Sequence, residues 1–432
     1  MKKSLFSVVV GLATVAFVAC QPQPTDEERP RVLISTDIGG TDPDDNQSMA
    51  HLLMYSDCFA LEGLVSSPSY GEGNKAEILR MIDLYEEDLP TLRTHYPDLM
   101  SPEALRAITK QGRKGAAPMC GYADPTEGSE WIVQCAQQPH DEPLYVLVWG
   151  GLEDVAQALH DAPEIADRIR IYWIGGPNKK WSVNSYLYIV ENHPNLWFIE
   201  CNAAYRGFIA SSGEEPEKES YFDRIIADAG HLGPDFGNYY KGNIKMGDTP
   251  SLLYMMQGDA SDPTTESWGG QFEPQHHSPR TVFHRPTTEA DTVACYSIIE
   301  WRFRGPKIDC EVGTPVMTAT IDRQPWEGYY LGEGEYMLRY CPKQPALLDY
   351  VIASDIKELD GLSGRFTVSG EWPGKPTEEG FQVGDSWMTD VDNPELFEGK
   401  WQGAVTVRKW REAVLEDWAE RWQVLKPTSK RS

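Results

Sequence analysis

Short apolar runs alternate with longer amphipathic segments along the first half of the chain. The apolar runs are RVLIST (31–36), LEGLVSS (61–67), LYVLVWG (144–150), IRIYWIGG (169–176) and LWFIECN (196–202), whose β-branched and aromatic residues favour strands. Between them, NQSMAHLLMYSD (46–57), NKAEILRMIDLYEE (74–87) and LEDVAQALHDA (152–162) place apolar residues at helical spacing. This alternation predicts an α/β domain with a Rossmann-like parallel sheet covered by helices on both faces.

The pattern changes after about Pro286. Short aromatic and β-branched runs, such as TVACYSIIEWRFRG and GRFTVSGEW, are separated there by glycine, proline and aspartate turns. Such runs are typical of an all-β sandwich. A helical pattern over 406–425 follows, and Trp410, Trp418 and Trp422 recur in it at helical spacing, which predicts a stripe that faces the core.

The first twenty residues have the layout of a signal peptide. Two lysines precede an apolar stretch from Leu5 to Val18, and the stretch ends in FVAC, which resembles a bacterial lipobox. We therefore expect a lipoprotein signal peptide over residues 1–20, lipidation of Cys20 and a polar, proline-rich tether over 21–30. The protein would then be exported and anchored by lipid to the bacterial outer membrane, with plain secretion as the alternative.

The net charge limits the kinds of partner. The chain of 432 residues carries 66 acidic and 39 basic side chains, a formal charge of −27. Nucleic-acid binding depends on clustered lysine and arginine, and no such cluster occurs here, so a nucleic-acid partner is not expected. Seven cysteines follow Cys20, and none of them forms a CxxC pair. A disulfide among Cys295, Cys310 and Cys341 and buried free thiols are therefore two alternatives that the sequence does not distinguish.

The segment STDIGGTDPDDNQS (35–48) gathers four aspartates directly after the first predicted strand. Crowded carboxylates raise one another's pKa unless a cation or solvent relieves them, so the segment is either a solvated acidic turn or a metal site. In a parallel sheet, ligands bind at the carboxyl ends of the strands. Asp37, Gly150, Gly175 and Asn202 all follow or end predicted strands, so we expect them to converge on one edge.

The aspartate-rich loop resembles the metal-binding fingerprint of nucleoside hydrolases. Three further pieces follow in the order of that family: WGGLEDVAQAL (149–159), ECN (200–202) and GDTPS (247–251). Together with SWGGQF (267–272), they most resemble a divergent branch, the nucleoside-hydrolase-like domain of the cellulose-binding-protein family. The resemblance implies such a domain over 31–285, a return to it over 376–432, and an inserted module over 286–375 that resembles the immunoglobulin-like modules beside glycoside hydrolase domains.

The resemblance also implies a calcium ion as cofactor. The carboxylates of Asp37, Asp45 and Asp248 and the backbone carbonyl of Glu153 would supply the all-oxygen ligands that this hard cation prefers. Asp37 would in addition act as the catalytic base and take a proton from a calcium-bound water.

The implied substrate is a small glycoside or oligosaccharide. Asp44, Glu200 and Asn202 would hold sugar hydroxyls while water attacks an anomeric carbon, so the activity would be hydrolysis of an N- or O-glycosidic bond. The alternative is a carbohydrate-binding surface lipoprotein that uses the same site without turnover. In either case the protein would contact the membrane only through its lipid anchor. The sequence leaves open whether the protein forms a homo-oligomer. Trp149, Trp173, Trp181 and Trp268 are candidates for stacking on sugars.

The sequence departs from the family pattern at three places. Ser35 occupies the position of the family's first aspartate, and the longer spacer GGTDP (39–43) leaves open whether Asp42 is a ligand. Gly247 stands where several nucleoside hydrolases carry a histidine that helps the nucleobase leave. An acid would then have to come from elsewhere, with His231, His276 and His277 as candidates, although histidines in a chain of this length are more often surface or capping residues.

Overall fold

The structure is a computed structural model that describes residues 29–209 and 220–427. The predicted signal peptide, Cys20 and most of the predicted tether lie outside the described residues. No helix within the described ranges is long and apolar enough to cross a membrane.

The described chain consists of 18 strands and 11 α-helices. The first part contains β1 (Arg31–Thr36), α1 (Asp44–Met54), β2 (Ala60–Ser66), α2 (Lys75–Leu92), α3 (Pro102–Ala107), β3 (Thr109–Gln111), α4 (Glu127–Gln137), β4 (Leu144–Val148), α5 (Glu153–Asp161), β5 (Ile169–Ile174), α6 (Asn178–Trp181), α7 (Val183–Asn192), β6 (Trp197–Cys201), α8 (Leu232–Phe236) and α9 (Thr249–Met256). Short 3₁₀ or π turns lie at Ser56–Cys58, Pro163–Asp167, Ala204–Phe208, Phe222–Ile226, Tyr240–Gly242 and Pro394–Leu396.

The second part is mostly strands. It contains β7 (Phe272–Pro274), β8 (His277–Ser278), β9 (Arg280–Phe283), β10 (Thr292–Ala294), β11 (Ile298–Arg304), β12 (Pro315–Ile321), β13 (Gln324–Gly332), β14 (Glu335–Tyr340), β15 (Ala346–Ala353), β16 (Ser363–Ser369), β17 (Phe381–Gln382), β18 (Trp387–Asp390), α10 (Val405–Arg408) and α11 (Arg411–Leu425).

The predicted parallel sheet is confirmed. Its strand order is β3-β2-β1-β4-β5-β6-β18-β7, and every neighbouring pair is parallel except β18 with β7. The five predicted strands are β1, β2, β4, β5 and β6, and each matches its apolar run to within two residues. The order reverses between β1 and β4, which is the switch point where ligands of doubly wound sheets bind.

The β-rich part forms one continuous sheet of eight strands in the order β10-β16-β15-β12-β13-β14-β11-β9. Trp301 of β11 nevertheless contacts Tyr350 of β15 and Phe366 of β16, with ring centroids 4.9 and 5.3 Å apart. Since β11 lies far from these strands in the order, the sheet folds so that its two ends pack on each other. The predicted all-β sandwich is thus built from one hydrogen-bonded sheet, and its immunoglobulin-like character stays a prediction.

The end of the chain packs on the α/β domain. The strand β18 extends the parallel sheet beside β6, and Arg421 of α11 forms a buried ion pair of 2.7 Å with Asp57. Trp418 and Trp422 are fully buried, as the helical spacing predicted, whereas Trp410 is only partly buried. None of the seven cysteines of the described ranges forms a disulfide, which favours free thiols among the two alternatives.

Candidate metal and sugar site

A cavity of about 590 Å³ lies at the carboxyl ends of the parallel strands. Five carboxylates line it, those of Asp37, Asp42, Asp44, Asp45 and Asp248. Four of them come from the loop after β1 and the start of α1, and the fifth comes from the loop before α9. The two segments meet because Gln47 of α1 accepts hydrogen bonds from the backbone N–H groups of residues 245 and 246 through its side-chain oxygen, at 2.8 and 2.9 Å.

The carboxylates of Asp44, Asp45 and Asp248 form a tight cluster. One oxygen from each lies within 4.8 Å of the others. The hydroxyl of Thr36 donates to Asp45, whereas the Oδ2 atom of Asp248 is buried and has no hydrogen-bond partner. A buried carboxylate oxygen without a donor is costly unless a cation or solvent reaches it.

The electrostatics of this cluster favour the binding of a cation. Burial, with repulsion from neighbouring carboxylates, raises the pKa of Asp44 to about 7 and holds the pKa values of Asp45 and Asp248 well above their usual range. Burial raises the pKa of Asp37 to about 6, and its hydrogen bonds with Asp45 and Ser69 limit that increase. Oxygen ligands from several carboxylates suit Ca²⁺, so the residues present fit the cofactor that the sequence predicted.

A lysine lies beside the cluster. The ammonium group of Lys245 is 3.3 Å from Asp44 Oδ2 and also contacts Asp42. Its charge lowers the pKa of Asp44 against the larger effect of burial. Asp42 is 58% exposed and pairs with Lys245, so it lies outside the cluster of three carboxylates.

The absence of a side chain at Gly247 has a steric reason in this chain. A Cβ atom at Gly247 would lie 2.3 Å from Oδ2 of Asp44. Any side chain at position 247 would therefore displace the Asp44 carboxylate from the cluster.

The Glu-x-Asn pair of β6 lies beneath the cavity and does not line it. Glu200 is fully buried and accepts hydrogen bonds from Lys179 at 2.6 Å, from Tyr186 at 3.0 Å and from the Asn202 amide at 3.1 Å. The Oδ1 atom of Asn202 is buried without a partner and lies against Gly175. Glu200 thus fixes the amide of Asn202, and Asn202 keeps a free acceptor at the strand end.

Glu153 is the first residue of α5. Its side chain is buried, is folded against Gly151 and lines a second cavity beside the first one, rather than the cavity of the aspartates. Burial raises the pKa of this carboxyl to about 8. The calcium ligand that the family resemblance implies is the backbone carbonyl of Glu153 and not this side chain. That carbonyl lies in the first turn of α5.

None of the nine histidines, all of which lie in the described ranges, lines the aspartate cavity. His231 contacts Asp88 at 3.0 Å, His276 lies 3.7 Å from the exposed Asp385, and His277 bonds to the carbonyl of Gly374 at 2.9 Å. These three candidates for an acid are therefore placed elsewhere.

Sequence reasoning missed several residues that line the cavity. Ser69 and Asn178 follow the ends of β2 and β5, so the strand-end rule could have found them. Lys245, Gln324 and Lys343 carried no signal, because only the folded chain brings their segments to the cavity. Of the four tryptophans proposed for stacking, Trp149 and Trp181 line the cavity, whereas Trp173 is buried beneath it and Trp268 packs on the core.

Asp390 was also missed, although it holds one edge of the site. Its carboxylate accepts the backbone N–H groups of Asn202, Ala203 and Ala204 at 2.9 to 3.0 Å. We expect Asp390→Ala to lower the free energy of unfolding by about 3 kcal/mol, because three buried donors lose their acceptor. Chemical denaturation measures this change, and the exposed Asp392→Ala, two residues away, serves as the control with an expected change below about 0.5 kcal/mol. Equal effects of the two variants would contradict this role for Asp390.

The strand order, the acidic loop at the switch point and the late aspartate define a nucleoside-hydrolase-like α/β domain. Residues 31–272 match the family described as cellulose-binding Sde182, nucleoside hydrolase-like domain. This match spans more than half of the chain, and the chain belongs to that family.

Solved structures of similar proteins include a nucleoside hydrolase-related hypothetical protein from Saccharophagus degradans that is associated with carbohydrate metabolism. It is 17% identical, with 79% of this chain and 99% of that chain covered and a TM-score of 0.49. The inosine-uridine preferring nucleoside hydrolase from Bacillus anthracis is 16% identical, with 58% and 87% covered and a TM-score of 0.38. No curated protein matches the sequence.

Proposed function

We propose that this protein is a calcium-dependent hydrolase of an N- or O-glycosidic bond in a small glycoside or oligosaccharide. The observation that supports this most is the cluster of buried carboxylates in one cavity, in which the Oδ2 atom of Asp248 has no hydrogen-bond partner. Asp37, Asp45 and Asp248 would hold the ion, and the position of Asp44 within the cluster makes it a further candidate. The carbonyl of Glu153 is the fourth ligand that the family resemblance implies, although Glu153 does not line this cavity. When bound, calcium would neutralise these carboxylates and make water in the cavity more acidic.

Asp37 is the proposed general base. It lies directly after β1, lines the cavity and is partly exposed, so its carboxylate can reach a water there. Burial raises its pKa to about 6, which makes it a stronger base than an exposed carboxylate.

The sugar would lie between the acidic loop and the strand ends. Asp44, which lines the cavity, would accept hydrogen bonds from its hydroxyls. Glu200 and Asn202 are buried beneath the cavity and do not line it, so in this structure they would support its floor, with Glu200 holding the Asn202 amide. An oxocarbenium-like transition state would gain from the nearby carboxylates, because positive charge develops on the ring.

The second candidate function is carbohydrate binding without turnover. Two observations favour it: no histidine lines the cavity to protonate a leaving group, and the family to which the chain belongs is named for cellulose binding. In that case the same residues would hold calcium and a sugar.

A substrate screen tests the proposed function. The full chain, with calcium and separately with EDTA, is incubated with nucleosides, p-nitrophenyl glycosides and oligosaccharides, and the release of base, nitrophenol or reducing ends is measured. Calcium-dependent release from any of these compounds supports the hydrolase, whereas binding of a glycan without release of product supports the second candidate.

Gly247 offers a test of the metal site. We expect Gly247→Ala to weaken calcium binding about tenfold, because the new Cβ would displace the Asp44 carboxylate. Calorimetric titration with calcium measures the dissociation constant. Gly115→Ala is the matched control, since a Cβ there meets no atom within 4 Å. Unchanged affinity in Gly247→Ala would remove Asp44 from the metal site.

Export and lipid anchoring complete the proposal. The lipobox-like FVAC and the tether after it support anchoring of the mature protein to the outer membrane through Cys20. The mass of the N-terminal peptide from the protein expressed in a bacterial host tests this, since an unmodified Cys20 excludes the anchor.

A further inference from the structure

The cavity of the aspartates continues into a second cavity of about 400 Å³. The two share the side chains of Ser69, Tyr70, Trp181 and Gln324. The first three come from loops and α6 at the strand ends of the α/β domain, and Gln324 begins β13 of the folded β-sheet. The far wall of the second cavity consists of further β13 residues, including Trp326 and Tyr329.

Direct contacts fix this part of the β-sheet against the α/β domain. Lys180 of α6 pairs with Asp322 at 3.2 Å, and its side chain is fully buried. On the other side, the Asn184 amide donates to the Tyr329 hydroxyl at 3.2 Å and accepts from Arg339 at 3.1 Å. The position of Gln324 beside the aspartate cavity is therefore set by contacts on both sides of it.

Tyr70 is unusual for its exposure. Among the described residues, four large hydrophobic side chains are at least half exposed, and Tyr70, at 51%, is the only aromatic one. It lies where the two cavities join, with its ring 5.2 Å from that of Trp181. An aromatic face that stays exposed beside a cavity is suited to stack on a ligand, because the apolar area is then buried on binding.

Three side chains that line the second cavity have a buried polar atom with no hydrogen-bond partner. These atoms are Nε1 of Trp181, Oε1 of Gln324 and Oε2 of Glu153. They come from three different elements and include a donor and acceptors. A ligand with hydroxyl groups around its edge could pair with all of them, whereas unpaired they cost free energy.

We infer that the second cavity binds a further sugar ring of the substrate, so that this site takes a neutral oligosaccharide of at least two rings. This inference rests on the proposed function, because it places the first ring beside Asp44 in the aspartate cavity. Tyr70 stacks on the apolar face of the second ring, and Trp181 and Gln324 pair with its hydroxyls. A sugar ring carries hydroxyls that both donate and accept around its whole edge, which matches the donor and acceptors contributed by three different elements.

The folded β-sheet that contains β13 would therefore determine which sugars the site accepts. Without Gln324 and the β13 wall, the second cavity would be open on one side and would offer less contact to a second ring. Strand β13 extends the site beyond one sugar without touching the carboxylate cluster.

Calorimetric titration of the full chain with calcium tests the inference. The probes are the mono-, di- and tetrasaccharides of the cello-, xylo-, manno- and laminari- series, together with inosine and uridine. The variant Asp37→Asn replaces the wild type for any compound that is cleaved. In at least one series we expect the dissociation constant to fall about tenfold from the monosaccharide to the disaccharide.

Two substitutions assign this gain to the second cavity. Tyr70→Ala and Gln324→Leu should each weaken disaccharide binding about fivefold and monosaccharide binding less than about twofold, because both side chains also border the first cavity. Leu347→Ala, a residue of similar exposure at 53% on β15, is the control and should bind as wild type. Tyr70 and Leu347 are surface residues, so both variants are expected to fold.

Several results would overturn the inference. The first is a dissociation constant that does not change with the number of sugar rings in any series. The second is a decrease of the dissociation constant with ring number that remains in Tyr70→Ala. The third is a nucleoside that binds more tightly than every oligosaccharide and is weakened in the same way by Tyr70→Ala. Failure of the proposed function has a different signature. Length-dependent binding without any cleavage would leave the second sugar site standing and exclude the hydrolase.

Discussion

The Asp37→Asn variant is expected to lose about 10³-fold in kcat/KM on any substrate that the wild-type protein cleaves. Asparagine has nearly the same size as aspartate but cannot accept a proton from water, and general base catalysis typically contributes 10² to 10⁴-fold. Asp37 is the cavity carboxylate that directly follows β1. Because Asp37 is also a proposed calcium ligand, the comparison is made at saturating calcium, where the substitution should affect turnover more than the binding of sugar. Steady-state kinetics and glycan titration of the same preparation measure the two effects.

Asp42→Asn is the matched control for this variant. Asp42 lies in the same loop and carries the same charge, but it is mostly exposed and pairs with Lys245 outside the cluster. We expect less than about a threefold change in kcat/KM, because an exposed ion pair contributes little. Equal losses in the two variants would exclude Asp37 as the base. A wild-type protein that binds glycans without cleaving any substrate would instead support the carbohydrate-binding alternative.

Calcium is expected to raise the melting temperature of the protein by about 3 to 6 °C, and EDTA should reverse the change. Without a cation, the cluster holds two buried carboxylates and the partly buried one of Asp44, and their mutual repulsion and burial oppose ionisation. A ligand present at a hundred times its dissociation constant stabilises the folded state by about 2.7 kcal/mol. For domains of a few hundred residues, each kcal/mol corresponds to about 2 °C or somewhat less. Differential scanning calorimetry in matched buffers measures the shift.

Asp248→Asn connects this shift with the cluster. The substitution removes one charge and supplies an amide whose N–H groups can donate to the neighbouring carboxylates, so the metal-free variant should be at least as stable as the metal-free wild type. It should lose most of the calcium-dependent shift, whereas the exposed Asp392→Asn should keep all of it. A wild-type melting temperature that calcium and EDTA leave unchanged would exclude the metal site. A full shift in Asp248→Asn would move that site away from the cluster.

The sequence predicted the parallel sheet because its central strands carry their own signal. The strands β1, β4 and β5 are almost continuously apolar, as expected for strands that are buried on both faces. The strands β3, β7 and β18 were missed, since each has only three or four residues and polar or charged members. Their pairing depends on the exposed edge of a sheet that already exists, and in β18 the partner lies almost 190 residues earlier in the chain.

The β-rich part illustrates a related limit. Alternating burial along β12 and β15 indicates strands with one face on a core, and this alternation is visible in the sequence. Which strands hydrogen-bond to each other is decided by edges and turns across the whole module. A single folded sheet and two separate sheets present nearly the same alternation, so only the structure distinguishes them.

The sequence by itself determined the fold class, the position of the first strand and the acidic loop that follows it, because apolar periodicity and local order in the chain encode these features. The resemblance to a known family also made Asp248 a candidate calcium ligand. Only the tertiary structure decided that Asp44, Asp45 and Asp248 form the cluster, that Lys245 pairs with Asp42, and that Glu200 points to Lys179 and away from the cavity. The physical reason is that the direction and the partners of a side chain depend on neighbours far away in sequence, and those neighbours are fixed only when the sheet, its returning strand and the β-module pack together.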